Sequence, residues 1–273
     1  MMWASSITFE DYPLESLLGI LKEVGFAGVE MNRPHLRRCR TQELRASFVK
    51  QANALGIRMG GLNVVGESYF QPFGNEAQLA ATVEGLRQDV DYALSLGVKD
   101  VLIWEGRAPE GTTEEYWIRQ LLPRLLALFR AALAYAEPRQ VRFLVEPHPF
   151  TVGMSVRLLA RLHDQLDSAY FGVTYDFCHY GVGRPHDYVQ AVRQLARRIR
   201  HVHFSDSDQK SSELHFAPGD GKLDIQAVLH ALRETGYDGK ITLDLYGHPT
   251  PIEAAKRSLP ALRAAYEFLS LQD

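Results

Sequence analysis

Short runs of β-branched and other apolar residues alternate along the chain with longer segments whose apolar positions recur every three or four residues, the pattern of repeated β–α units. The predicted strands are Met2–Ser6, Gly28–Asn32, Arg58–Val64, Asp100–Glu105, Val141–Glu146, Phe171–Asp176, His201–Ser205 and Lys240–Leu245. The predicted helices between them are Leu14–Val24, Gln42–Leu55, Glu76–Leu96, Thr113–Ala136, Val156–Leu166, Tyr188–Arg197, Ile225–Thr235 and Ile252–Leu269. In the first, Leu17, Leu18 and Leu21 form the stripe that faces a sheet. Several helices stop at a glycine before the next strand, as in Val24-Gly25-Phe26 and Thr235-Gly236-Tyr237, where a left-handed turn carries no Cβ penalty. Eight such units favour closure, so the expected fold class is α/β, a (β/α)₈ barrel forming a single domain over 1–273. An open doubly wound sheet is the alternative, but the Gly-x-Gly-x-x-Gly expected after its first strand is missing.

Composition agrees. The 273 residues match the roughly 250 typical of one such barrel, and 46% hydrophobic content can fill a large core. A net charge of -3 and well-mixed charged residues give no general attraction for phosphate backbones, so nucleic acid is not expected as a partner. Apolar runs such as Leu121–Leu133 are broken by Arg124 and Arg130, so none spans a bilayer. The N-terminal Met1-Met2-Trp3-Ala4-Ser5-Ser6 lacks the form of a secretory signal, and Cys39 and Cys178 make no disulfide framework. The expectation is a soluble cytoplasmic protein.

In a closed α/β barrel the active site lies at the C-terminal ends of the strands. Four successive strands here end on polar side chains: Phe143-Leu144-Val145-Glu146 on a carboxylate, Val173-Thr174-Tyr175-Asp176 on the first residue of an Asp-x-x-His that reaches His179, and His201-Val202-His203 on imidazole. Ile241-Thr242-Leu243-Asp244 places the fourth inside strand eight. Any one such carboxylate is more often a helix cap or salt-bridge partner. Together they are costly to bury, because desolvation penalises each charged form, and a shared cation relieves all of them. Glu146, Asp176, His203 and Asp244 are therefore the expected ligands of one divalent ion, Mn²⁺ foremost, with Zn²⁺, Co²⁺ and Mg²⁺ compatible with the same ligands. His201 shares a face with His203, but His203 is nearer the strand end and is the ligand chosen. Asp206 either orients a ligand or opens the following loop.

At these residues the chain resembles the xylose-isomerase-like sugar phosphate isomerase/epimerase superfamily, which includes ketose 3-epimerases, inosose isomerases and dehydratases, and the endonuclease IV group. The resemblance runs from Gly28-Val29-Glu30 to the final helix. It is most specific at His201-Val202-His203-Phe204-Ser205-Asp206, Ala217-Pro218-Gly219-Asp220-Gly221-Lys222-Leu223-Asp224 and Gly236-Tyr237-Asp238-Gly239. It implies a TIM barrel holding a divalent ion through Glu146, Asp176, His203 and the position of Asp244, where relatives carry Glu. It also places His179 and His215 toward the substrate. Barrels of this group often pair, so a homo-oligomer is compatible with it.

The implied activity is isomerisation or epimerisation of a small sugar, ketose or polyol-derived ketone. Glu146 is the base, and Asp244 or a water returns the proton. Trp104, with Phe70 and Phe73, supplies candidate apolar walls for the substrate. A metal-dependent dehydratase of the inosose type shares the opening steps. An endonuclease IV-like nuclease is disfavoured, because strand three ends Asn63-Val64-Val65 and strand four ends Trp104-Glu105-Gly106, with no histidine at either. A metal-free binding barrel is the remaining rival. Lys210, Lys222 and Arg107 read as solvated residues, and no phosphate cradle is legible.

Overall fold

Eight parallel strands pair in sequence order and close on themselves, β1 (Trp3–Ser5) lying between β2 (Gly28–Asn32) and β8 (Lys240–Leu243). The others are β3 (Arg58–Asn63), β4 (Asp100–Ile103), β5 (Arg142–Val145), β6 (Phe171–Asp176) and β7 (Ile199–Phe204). The computed structural model describes residues 1–270, so the last three residues of the predicted domain span fall outside it. Helices α1 (Leu14–Val24), α2 (Gln42–Ala54), α3 (Glu76–Ser95), α4 (Leu122–Ala136), α5 (Val156–Leu166), α6 (Tyr188–Leu195), α7 (Ile225–Glu234) and α8 (Pro251–Ser270) alternate with the strands. The predicted single-domain (β/α)₈ barrel is the observed fold. Among the described residues, no helix is long and apolar enough to cross a membrane.

Local chemistry sets most boundaries. Ser155 accepts the Leu158 N–H at the start of α5, and Asp224 accepts the Ala227 N–H at the start of α7, each satisfying an orphan donor of the first turn. Gly25 closes α1 at φ 108°, as its position in the sequence predicts. The predicted helix Thr113–Ala136 is interrupted, because Trp117–Leu121 forms a wide π turn and α4 begins only at Leu122, with Pro123 in its first turn where no N–H is needed.

The strand ends differ from expectation in a way that matters for the site. Strands β4, β5 and β8 stop at Ile103, Val145 and Leu243, so Trp104, Glu146 and Asp244 are the first residues beyond them. Asp244 is thus not inside strand eight. Its backbone still continues the ladder by one bond, Asp244 N–H to Phe204 C=O at 3.2 Å, which aims the side chain over the barrel mouth.

The barrel interior carries charge in two layers. At the N-terminal end Asp100 pairs with Arg142 at 2.7 Å and Lys240 at 2.9 Å. Burial would push this carboxyl up, but the two cations outweigh it and hold it below the ordinary carboxylate value. The lower layer is therefore electrically closed. The upper layer is not.

Candidate active site

The register of the parallel strands pairs Asp176 on β6 with His203 on β7, and Glu146 and Asp244 flank them from β5 and β8. All are buried. The structure brings the predicted four together around one atom: His203 Nδ1 lies 2.5 Å from Glu146 Oε1, 3.7 Å from Asp176 Oδ2 and 3.6 Å from Asp244 Oδ2.

Each carboxylate is oriented by its second oxygen. Asp176 Oδ1 accepts the His179 N–H at 2.7 Å and caps a short helix, Phe177–Gly183, that the sequence pattern did not reveal. Asp244 Oδ1 accepts the Tyr246 N–H at 3.0 Å. Glu146 Oε2 accepts from Asn63 Nδ2 at 3.4 Å. The cap reading and the ligand reading of a strand-end carboxylate are thus compatible, one oxygen serving the backbone while the other faces the centre. Asp176 Oδ2 has no hydrogen-bond partner among the described residues.

The electrostatics are those of a cluster short of positive charge. Burial disfavours an imidazolium at His203, yet the Glu146 and Glu30 carboxylates outweigh it and raise the ring well above its ordinary value. His215 is likewise raised against burial by Asp176, Cys178 and Asp244, its Nδ1 standing 3.4 Å from Asp244 Oδ1. Burial pushes Glu146 up, with Asp176 and Asp244 adding to it and His203 opposing. Burial also acts on Asp244, but the His215 hydrogen bond and the charges of His203 and His215 hold it below the ordinary value. Four buried carboxylates, counting Glu30, crowd around His203 and His215, so the centre is short of positive charge when all four ionise.

Above the cluster opens a cavity of roughly 550 Å³ lined by Trp104, His148, Phe150, His179, His215 and Tyr246 among others. His148 and His179 stack with ring centroids 3.8 Å apart. Burial, and next to it the proximity of another histidine, drives each well below the ordinary value, so this pair is neutral. The Trp104 ring packs 5.3 Å from His148 and 5.6 Å from Phe150, forming an aromatic wall. Trp104, His179 and His215 all line this cavity. Phe70 and Phe73 do not: Phe70 packs on Phe129 at 6.4 Å and Phe73 lies beneath Gly106, both outside the cavity lining. Arg107 is exposed, as expected of a solvated residue, and its guanidinium sits over the Phe150 ring at the cavity mouth.

Asp206 organises the following loop. Its carboxylate accepts backbone N–H groups of Gly219, Gly221 and Leu223, each at 3.0 Å, which fixes the Pro-Gly-Asp-Gly turn. Phe216 pairs with Asp206 through two backbone bonds, and this bridge holds the neighbouring His215 over the centre.

Residues to which the sequence assigns no role at the centre complete the site. His148 follows Glu146-Pro147. Glu30 and Asn63 reach the centre from β2 and β3. Glu105, fully buried after β4, accepts the Gly153 N–H at 2.6 Å and ties down the loop carrying His148 and Phe150. Burial pushes its carboxyl up to about 7 against hydrogen bonds from Thr151 and Gly153. The folded protein thus holds this proton more tightly than the unfolded chain, and the stability it contributes is full below pH 4.5 and is lost as pH rises toward 7. Glu105→Gln keeps an acceptor for Gly153 and removes the titration. Urea unfolding at pH 5 and pH 8 should show wild type losing roughly 3 kcal/mol more than the variant across that interval. Equal losses would contradict the assignment.

The fold has known counterparts. The chain belongs to the xylose isomerase-like TIM barrel family, whose model matches residues 18–265. It is 25% identical over 250 residues to a fructoselysine 3-epimerase of Shigella flexneri, a match covering 85% of each chain. It is also 25% identical over 289 residues to an inosose dehydratase of Geobacillus thermodenitrificans, covering 94% of this chain and 89% of that one. Among solved structures, the IolI protein with a bound zinc atom shares the fold at a TM-score of 0.76 and 17% identity, with 98% of both chains covered.

Proposed function

We propose that the chain is a divalent-metal-dependent isomerase or epimerase that moves a proton at the carbon next to the carbonyl of a small sugar, ketose or polyol-derived ketone. The observation that carries this reading is the convergence of Glu146, Asp176 and Asp244 on His203 Nδ1 at the floor of an aromatic-walled cavity. The residues fit a metal: an unpartnered buried carboxylate oxygen on Asp176 and a mixed oxygen and nitrogen donor set suit Mn²⁺, Zn²⁺ or Co²⁺. The zinc of the IolI relative is consistent with that set. Glu146, Asp176, His203 and Asp244 would hold the ion. When bound, it polarises the substrate carbonyl and favours negative charge on that oxygen.

The protein's own groups do the rest. Glu146 takes the proton, its Oε1 facing the centre and its Oε2 held by Asn63. Asp244, anchored through Oδ1 to Tyr246, returns a proton from the other side of the centre. Asp is a methylene shorter than the Glu of relatives, so a water between Asp244 and the substrate carbon is the alternative donor. Neutral His148 and His179 bind substrate hydroxyls, and Trp104 covers an apolar face of the sugar.

A dehydratase is the second reading, favoured by the near-full-length match to an inosose dehydratase and by the neutral histidine pair, which can hydrogen-bond a departing hydroxyl. One experiment separates the two. Metal-loaded protein is incubated in D₂O with ketoses, inososes and hydroxy-keto acids. Deuterium next to the carbonyl of an isomer supports the first reading, and deuterium exchange with loss of water supports the second. Product formed with no solvent deuterium contradicts return of the proton by Asp244 or a water.

A further inference from the structure

An imidazole that ligates a metal through one nitrogen must carry its proton on the other, and something has to accept that proton. His203 turns Nδ1 toward the three carboxylates and Nε2 the opposite way, down into the barrel. There Nε2 meets Glu30 Oε1 at 3.0 Å. Glu30 stands in the middle of β2, is 1% exposed, and has no lysine or arginine partner among the described residues. A carboxylate buried at this depth is costly unless the groups it touches offset its charge.

Its surroundings are built to hold it. His201, two residues before His203 on the same face of β7, brings Nε2 to 2.9 Å from Glu30 Oε2, close though poorly aligned for a hydrogen bond. Asn63 Nδ2 lies 3.5 Å from Glu30 Oε1 and 3.4 Å from Glu146 Oε2, linking the two carboxylates on either side of His203. The β2–β3 register shifts between Val29 and Glu30, and this irregularity sets the strand beyond it. His203 is thus held from both ring nitrogens, by Glu146 above and Glu30 below.

We infer that Glu30 is the positioning residue of the metal centre: by accepting the Nε2–H of His203 it fixes the tautomer and ring plane that present Nδ1 to the ion, and so sets the affinity of the site for divalent metal. His201 in turn steadies Glu30. This rests on the reading of His203 as a ligand. Partners of this kind beneath metal-bound histidines change metal affinity by about 10–100-fold when removed.

The test uses Co²⁺ and Zn²⁺ alone, with no substrate. Affinities of wild type, Glu30→Gln and Glu30→Met are measured by competition against a chromophoric chelator, with circular dichroism of each metal-free protein to check the fold. Glu30→Met removes every acceptor and should weaken binding by about 10–100-fold, and Glu30→Gln, which keeps a weaker uncharged acceptor, should fall between. The visible absorption of the Co²⁺ form should change with them, which lost fold stability alone would not cause. If both variants bind as wild type does, the positioning role is wrong while the metal site stands. If wild type binds neither ion, both fall. Should Glu30→Met fail to fold, ¹⁵N NMR of Zn²⁺-loaded wild type decides: a protonated, hydrogen-bonded Nε2 on His203 is expected, and a protonated Nδ1 overturns the inference.

Discussion

Glu146→Gln should lower turnover by about 10²–10⁴-fold while the protein still binds its metal. The amide matches the carboxylate in shape and its oxygen can still ligate, so the loss falls on proton transfer more than on the site. The buried setting reinforces this. Glu146 Oε1 faces His203 Nδ1 at 2.5 Å and Oε2 faces Asn63, so the variant amide can turn its oxygen to Asn63 or to the centre with no change in packing. Affinity for substrate should change little, because Glu146 is assigned to the proton and not to the hydroxyls. The check is kcat and KM with metal content measured in the same samples. Undiminished kcat would remove Glu146 from the proton path.

Stripping the metal should abolish turnover and lower the melting temperature. A ligand that binds only the folded state adds stability as RT ln(1 + [L]/Kd), about 2.7 kcal/mol at one hundred times Kd. For a domain near this size that corresponds to a shift of roughly 5–10 °C. The structural cause is the upper charge layer, where Glu30, Glu146, Asp176 and Asp244 crowd around His203, with His215 against Asp244. The lower layer, closed by Arg142 and Lys240, should not respond. Calorimetry of protein dialysed against chelator, then returned to Mn²⁺, Zn²⁺ or Co²⁺, measures both effects. An unchanged melting temperature would mean that no ion couples to folding.

The barrel was legible because eight alternations of period two and period 3.6 leave few other ways to bury the chain. The strand-end carboxylates were legible because a charge that ends an apolar run needs a reason. Glu30 does not stand out in the sequence as a site residue. A single carboxylate in Val29-Glu30-Met31 fits ordinary strand alternation, and the register shift beside it has no signature in the sequence. Its histidine partners lie more than 170 positions away. His148 was hidden differently, since Pro147 before it signals a turn and only the β5–α5 loop, tied down by Glu105, swings the ring onto His179. The loop role of Asp206 depends on backbone N–H groups up to 17 residues downstream, which side-chain patterns do not report.

The most direct measurement is the metal content of protein purified without chelator, for wild type and for Asp176→Asn and His203→Ala. The account predicts about one divalent ion per wild-type chain and its loss from both variants, with the Asp244 and Glu146 carboxylates unable to hold it alone. Wild-type protein free of metal, or variants that retain it fully, would contradict a site centred on Glu146, Asp176, His203 and Asp244.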